Sequence, residues 1–291
     1  MTTKLAVFLV GFAAMASGQS ETGGGKAPER LQLRVVALGH HRTTRWKMGE
    51  REGDAAAPLA PGEKAGKKKG GGLRPVEIKG KPFEYLPSPL YLRDEGDGGR
   101  VEMRPVSLAL NAPGTESEVK PRMSLDLLTG ETGADGGLLH HGYVSAALPN
   151  GASRALAVLV AAPGKVEAWK DPGVHVFDTS PVALPGGSLF VFNGTLFGIE
   201  LDVPVKDAKG PLMLKPLESR VLRPGVNRSG RTQVVARLVG NGGKVKRQFY
   251  YNTLPVSPDS RSFLLVYADP KPKNPNPAGV VMFRDELGTE P

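Results

Sequence analysis

Glycine and proline interrupt this chain every few residues, and their spacing limits the length of any helix. The 291 residues include 38 glycines and 26 prolines. Proline lacks a backbone N–H, and glycine loses the most conformational freedom on ordering, so each destabilises a helix interior. After the first twenty residues, no apolar stripe with helical periodicity extends over a helical length. The sequence therefore predicts an all-β protein.

Short segments between these breaks have the composition of β-strands. In Leu31–Val35 and Ile199–Val203, polar residues alternate with branched aliphatic ones, as on a strand with one buried face. The segment 262–268 is continuously apolar and is typical of a central strand. Short strands with turn residues between them favour β-sandwiches. The clearest predicted strands are 31–38, 101–110, 155–162, 188–193, 197–203, 233–239, 244–251, 262–268 and 280–283.

Two distant segments of the chain resemble each other. SRALAVLVAAP at 153–163 and SRSFLLVYADP at 260–270 share the initial Ser-Arg and the final proline, and their hydrophobic positions run in step. Downstream, Gly173–Phe177 matches Gly279–Phe283. Each copy has a turn, a buried strand, a proline-bounded loop and a closing strand in the same order. This shared order predicts an internal duplication.

The duplication divides the chain into two tandem immunoglobulin-like β-sandwich domains, expected at 31–180 and 185–291. Within the first, an insert near 51–72 is rich in lysine and glycine and contains few large apolar residues. Burial of so little apolar surface cannot offset the entropy of ordering, so we expect this insert to be disordered. We also expect Gly130–Gly137 to be a flexible loop.

The first eighteen residues carry the features of a signal peptide. Lys4 precedes an apolar run at 5–16, and Ala14-Met15-Ala16 has the small-x-small pattern that signal peptidase cleaves. The run is too short to cross a hydrocarbon core of ~30 Å as a helix. We therefore expect residues 1–18 to be removed, residues 19–30 to be flexible and the mature chain to lack a transmembrane segment. The expected location is periplasmic or extracellular.

Export and charge together indicate the class of partner. The chain has 38 basic and 29 acidic residues, a net charge of +9, and loss of Lys4 leaves +8. A positive surface attracts anionic polymers or lipid headgroups, whereas an exported protein does not ordinarily meet nucleic acid. The absence of cysteine excludes disulfides, which an exported eukaryotic domain of this size would often carry. We expect an anionic polymer of a bacterial envelope, or another envelope protein, as the partner.

Few residues suggest catalysis or metal binding. The five histidines are His40-His41, His140-His141 and His175, and neighbours on a strand point to opposite faces, so they predict no metal site. Glu200 and Asp202 share a strand face, as a glycosidase carboxylate pair would. The apolar residues between them indicate an ordinary solvated face instead. We predict no catalytic residue, no metal ligand and no cofactor.

One predicted strand combines basic and aromatic side chains. Cations and aromatic faces together can hold sugars or acidic groups, so the candidate ligand contacts are Lys244, Lys246, Arg247 and Tyr251. Alternation also predicts that Val245, with Phe249 or Tyr250, enters the core. A group of arginines precedes this strand, namely Arg220, Arg223, Arg228 and Arg231.

These observations favour a non-enzymatic exported protein with a structural or binding role at the cell envelope. Contact with anionic polymers is the expected activity. The alternative is a hydrolase that acts on envelope or extracellular polysaccharide. That alternative would require two facing carboxylates, or converging histidines, in a cleft.

Overall fold

The computed structural model describes residues 30–40, 45–49, 74–78, 83–95, 100–163, 165–205, 210–240, 245–269 and 277–287. The predicted signal peptide, all but the last residue of the segment 19–30 and the insert near 51–72 lie outside these ranges. His41 and Lys244 also lie outside them.

The described residues form β-strands and no helix, which confirms the prediction of an all-β protein. The eighteen strands are β1 (Leu31–Leu38), β2 (Arg45–Gly49), β3 (Arg74–Ile78), β4 (Leu90–Glu95), β5 (Val101–Val106), β6 (Pro113–Val119), β7 (Ser124–Thr132), β8 (Leu138–Ala147), β9 (Arg154–Val160), β10 (Gly173–Asp178), β11 (Leu189–Gly194), β12 (Ile199–Asp202), β13 (Leu212–Leu214), β14 (Ser219–Leu222), β15 (Arg231–Val239), β16 (Val245–Pro255), β17 (Ser260–Ala268) and β18 (Ala278–Glu286).

Four sheets of four strands and one hairpin organise these strands. Sheet 1 has the order β5-β4-β7-β8, sheet 2 β10-β9-β1-β6, sheet 3 β14-β11-β17-β18 and sheet 4 β13-β12-β15-β16. β2 and β3 pair with each other as a separate antiparallel hairpin. The numbers follow the order in which the four sheets stack.

Three apolar cores separate the four layers, and this stacking is consistent with β-sandwiches. The first core lies between sheets 1 and 2, and the second lies between sheets 3 and 4. The third, which we call the junction core, lies between sheets 2 and 3. Its buried residues are Val36, Leu38, Leu156, Val158, Val160, Leu184, Phe190, Phe192, Phe263, Leu265, Val281 and Phe283.

The sequence of β1 explains how one strand serves two cores. Its odd positions are apolar throughout and enter the first core, at Leu31, Leu33, Val35 and Ala37. Its even positions face sheet 3 and change character along the strand. Gln32 and Arg34 are polar, whereas Val36 and Leu38 belong to the junction core. The junction is therefore polar where β1 begins and apolar where it ends.

The two halves of the chain share one strand order. In sheet 2 the central pair β9 and β1 is parallel, and so is the central pair β17 and β11 in sheet 3. Leu156 of β9 pairs with Phe177 of β10, and Phe263 of β17 pairs with Phe283 of β18. The strand orders of sheets 1 and 4 correspond in the same way. A duplicated unit would produce this correspondence. The duplication and the domain boundaries stay predictions.

The contacts across the junction also repeat. Arg34 on β1 pairs with Leu156 of β9, and Phe190 on β11 pairs with the equivalent Phe263 of β17. The Phe190 ring packs on Phe177 with the centroids 5.0 Å apart. In the equivalent contact, the Arg34 guanidinium lies 5.5 Å from the centroid of the Phe283 ring. The halves therefore meet in the self-complementary manner of a two-fold symmetric dimer.

A charged cluster closes the polar end of the junction. Arg261 is 1% exposed, and its Nε and Nη2 donate to Asp285 Oδ2 at 3.0 and 2.8 Å. Its Nη1 donates to the Thr179 carbonyl of the first half. Arg34 and Arg154, also from the first half, approach the same carboxylate at 3.4 and 3.5 Å. One carboxylate thus pairs with arginines from both halves, and Glu116 of β6 lies 3.3 Å from Arg34 as a second anion.

The prediction of a flexible loop at 130–137 is wrong in part. Residues 130–132 belong to β7, and the turn to β8 is hydrogen-bonded, with Gly133 N donating to the Gly137 carbonyl at 2.7 Å. Gly130 has a packing role, because a Cβ there would lie 2.6 Å from the Tyr91 ring. The glycine content reflects close packing and a tight turn.

Replacing Asp285 with alanine should lower the free energy of unfolding by about 3–5 kcal/mol, because it leaves the buried Arg261 without its carboxylate. Urea denaturation followed by circular dichroism measures this loss. Asp202→Ala is the matched control. That carboxylate pairs with Arg237 on a solvated face, and its loss should cost at most about 1 kcal/mol. Equal losses in the two variants would show that the charged cluster does not stabilise the junction.

Candidate functional site

The structure describes the side chains of two of the four predicted ligand contacts, Arg247 and Tyr251. Lys244 lies outside the described residues, and for Lys246 only the backbone in β16 is described. Arg247 pairs with Leu238, whose side chain enters the second core, whereas Tyr251 pairs with Val235 in the outward row of sheet 4. Both are exposed, Tyr251 at 59%.

Irregularities in β16 cause this separation. The register between β15 and β16 shifts after Ala236 and again after Leu238. Each extra residue reverses the face on which the following side chains lie. Strict alternation would have placed Arg247 and Tyr251 on one face. A ligand that contacts both stays a prediction. Phe249 and Tyr250 pack against the second core, as alternation suggested for one of them.

The arginine group before β15 presents more of its charge to solvent. Arg223, Arg228 and Arg231 are exposed, and none forms an ion pair with another residue that the structure describes. A tight turn holds the last two, because Asn227 Oδ1 accepts hydrogen bonds from the backbone N–H of Ser229 and Arg231, both at 3.0 Å. We call these three arginines the basic end of the second half.

Arg220 differs from this group. Its Nη2 lies 2.8 Å from Glu218 Oε1, and its Nε donates to the same oxygen at 2.9 Å. The backbone N–H of Lys215 and the Arg220 side chain both lower the pKa of Glu218. Glu218 therefore stays charged over the neutral range, and its charge offsets that of Arg220.

Glu200 and Asp202 lie on the outward face of sheet 4, as alternation predicts. Arg237 bridges them, with its Nη1 2.9 Å from Glu200 Oε1 and 3.4 Å from Asp202 Oδ2. The guanidinium occupies the space between the two carboxylates. This arrangement is typical of a surface ion-pair network.

Four of the five histidines lie in the part of the chain that the structure describes. The described residues contain no group of three or more His, Cys, Asp or Glu side chains that could hold a metal ion. His140 packs edge-on against Tyr91, with ring centroids 4.6 Å apart. His141 is exposed and lies 3.7 Å from Glu131. His40 and His175 instead line a cleft at the apolar end of the junction.

His175 stacks on Phe177 and tilts against Phe192, with ring centroids 6.4 and 5.1 Å apart. Burial among these rings lowers the pKa of His175 below its usual 6.5. The imidazole is therefore neutral over the neutral pH range.

Sequence reasoning missed the cleft that His40 and His175 share. Its volume is about 210 Å³, and both halves contribute to its wall. Three residues that line the cleft are glycines at or next to a strand end, namely Gly39, Gly173 and Gly194. These glycines were the part of the cleft that the sequence made visible. Without the fold, nothing connected these positions.

The comparisons with known proteins assign no family. A scan against protein-family models gives no matching family, and a search of the curated proteins gives no matching sequence. Among the described residues, no helix has the length and hydrophobicity needed to cross a membrane.

The environment of His175 predicts how stability depends on pH. Its pKa is lower in the folded chain than in the unfolded chain, so the unfolded chain binds a proton first as the pH falls. The stability that its neutral form provides is therefore present above about pH 6.5 and is lost as the pH falls through the folded-state pKa. We expect His175→Gln to flatten this part of the dependence of Tm on pH. His141→Gln, at an exposed position, is the control, and an identical flattening there would contradict the prediction.

Proposed function

We propose that this chain is an exported, non-enzymatic protein of two tandem immunoglobulin-like β-sandwich domains. Its role is structural or binding, at the cell envelope, where it contacts an anionic polymer. The proposal combines the signal-peptide pattern of residues 1–18 with the +8 charge expected of the mature chain.

The main support for the proposal is the exposed positive charge at the basic end of the second half. Arg223, Arg228 and Arg231 are exposed, have no carboxylate partner among the described residues and lie in one short segment. Guanidinium groups bind carboxylate, sulfate and phosphate groups through paired hydrogen bonds. Three such groups within a few residues favour a ligand with repeated negative charges.

The carboxylates support a binding role over hydrolysis. Arg237 bridges Glu200 and Asp202, and arginines surround Asp285. A glycosidase requires one carboxyl group on each side of the scissile bond, with space for sugar between them. Neither arrangement provides that space.

Dextran sulfate tests the proposed contact, with uncharged dextran as the reference polymer. The variant Arg223→Gln, Arg228→Gln, Arg231→Gln should bind dextran sulfate at least about tenfold more weakly, since each charge near an anionic surface contributes about 1 kcal/mol. Binding of the unmodified chain should also weaken as salt rises from ~50 to ~500 mM, because ions screen the contacts. Biolayer interferometry on immobilised polymer measures both effects.

A matched variant separates local contact from net charge. Arg100→Gln, Lys170→Gln, Arg284→Gln removes the same three charges from exposed positions elsewhere. It should retain most of the affinity. Equal weakening in both variants would show that only the total charge of the chain determines the affinity. If neither salt nor either variant weakened binding to dextran sulfate, the proposal would be overturned.

A further inference from the structure

The cleft at the apolar end of the junction is formed by equivalent strand ends of both halves. Strands β1, β9, β11 and β17 all run toward it, and residues at or just beyond their C-terminal ends line it. These residues include Leu38, Ala161, Gly194 and Ala268. The cleft is therefore not a surface irregularity of one sheet but the open end of the space between sheets 2 and 3.

Among the lining residues that the structure describes, the wall of the cleft is apolar and carries no Asp, Glu, Lys or Arg side chain. The ionisable side chains in this described part of the wall are His40 and His175, and burial lowers the pKa of His175, which keeps that ring neutral. Charged ligands would lose their hydration here without gaining an ionic partner. The volume of about 210 Å³ exceeds the roughly 150 Å³ in which a dry apolar cavity can hold benzene.

Two leucines form the mouth of the cleft and are exposed to an unusual degree. Leu196 is 65% exposed and Leu217 is 41% exposed. Leu217 also has a backbone φ of 59°, a left-handed conformation that is costly for leucine. Backbone strain and apolar exposure thus coincide at the rim of one cleft. Residues held in this way are found at ligand-binding positions more often than elsewhere.

A buried asparagine holds both leucine-bearing loops in place. Asn193 is 0% exposed, and its Nδ2 donates to the Phe197 and Lys215 carbonyls, both at 2.9 Å. Its backbone carbonyl accepts from Leu217 N at 2.8 Å. Thr195 Oγ1 donates to Asn193 Oδ1 at 2.7 Å. The rim is therefore preorganised, and the exposure of its leucines is not a result of loose loops.

We propose that this cleft binds a small, uncharged, apolar molecule, such as a compound with one or two aromatic rings or a short acyl group. The ligand lies between sheets 2 and 3 and covers Leu196 and Leu217. Binding removes apolar surface from water without requiring the two halves to separate. This site is independent of the basic end, so either can fail without affecting the other.

The fluorophore N-phenyl-naphthylamine provides the test, because its emission rises in apolar surroundings and it carries no charge. Trp169 is fully buried, and its Nε1 donates to the His40 carbonyl at 3.2 Å, beside the cleft. In a Trp46→Phe background Trp169 is the only tryptophan. We expect saturable binding of one fluorophore per chain, with energy transfer from Trp169.

Gly173→Leu fills the cleft and should weaken this binding at least about tenfold. A Cβ at Gly173 has its nearest contact at 3.6 Å, with the His175 ring, so a side chain can start from this position without a clash at its first atom. Gly142→Leu makes the same change on β8, where a Cβ meets nothing within 4 Å, and should leave the affinity unchanged. Circular dichroism and the Tm of both variants check that each chain is folded.

Leu217→Gly separates a binding role of the rim from a purely structural one. Glycine adopts the left-handed conformation freely, so the Tm should be at least as high as in the unmodified chain. Affinity for the fluorophore should fall, because the ligand loses an apolar contact. A variant with unchanged affinity would show that the rim does not contact the ligand and would overturn that part of the proposal.

The negatively charged analogue anilinonaphthalene sulfonate tests the chemical class. We expect it not to displace the neutral fluorophore, and any binding to the basic surface should disappear in high salt. Displacement with higher affinity would overturn the assignment of an uncharged ligand.

Two results would overturn the proposal that the cleft is a binding site. One is the absence of saturable binding of the neutral fluorophore, and the other is binding that Gly173→Leu leaves unchanged. A dimer in sedimentation that Leu196→Ser abolishes would instead identify a second copy of this chain as the occupant.

Discussion

The packing of sheet 2 against sheet 3 is the contact on which the rest of the structure depends. It buries the second face of both sheets, so their central strands have apolar residues on both faces. If one face of such a sheet were exposed to water, it would form an apolar patch larger than monomeric soluble proteins usually expose. Each half therefore needs the other to cover its inner sheet. Five phenylalanines pack in this junction, and their rings meet in tilted or stacked geometries: Phe177, Phe190, Phe192, Phe263 and Phe283.

This contact brings equivalent positions of the two halves together, but the residues at those positions differ in chemistry. The position that holds Phe190 in the second half holds Arg34 in the first, and the equivalent ring contact becomes a cation–π contact. A largely buried arginine needs an anionic partner. Arg34 has two, Glu116 on β6 at 3.3 Å and Asp285 on β18 at 3.4 Å, and Asp285 also binds Arg261. Removing these charges from water costs free energy, and their mutual pairing offsets this cost only when sheets 2 and 3 are correctly aligned. A slip of sheet 2 against sheet 3 would separate Asp285 from Arg34 and Arg154, and Arg261 from the Thr179 carbonyl, so the cluster favours one fit of the halves.

The strands that sequence reasoning predicted are mainly those with a strong apolar pattern. β1 matches its predicted bounds of 31–38, and β17 was visible as a continuous apolar run. β6 and β8 were missed, because PGTESEV is mostly polar and LLHHGYVSAA has no strict alternation. Both lie at sheet edges, where hydrogen bonds to one neighbour define the strand. The candidate sites were harder to predict. The irregular register of β16 separates Arg247 from Tyr251, and the cleft exists only when both halves are in place.

The cleft arises where the equivalence between the halves breaks down. Register places Gly194 of β11 where the first half has Leu38 on β1. A side chain at Gly194 is impossible in this backbone, because its Cβ would lie 2.8 Å from the Val266 carbonyl. The junction core therefore has one large residue fewer at this end, where the buried Leu38 lines the cleft. In a perfectly repeated pair, a second leucine would fill that space. The difference between these two equivalent positions thus leaves room for a cavity at one end of an otherwise packed junction.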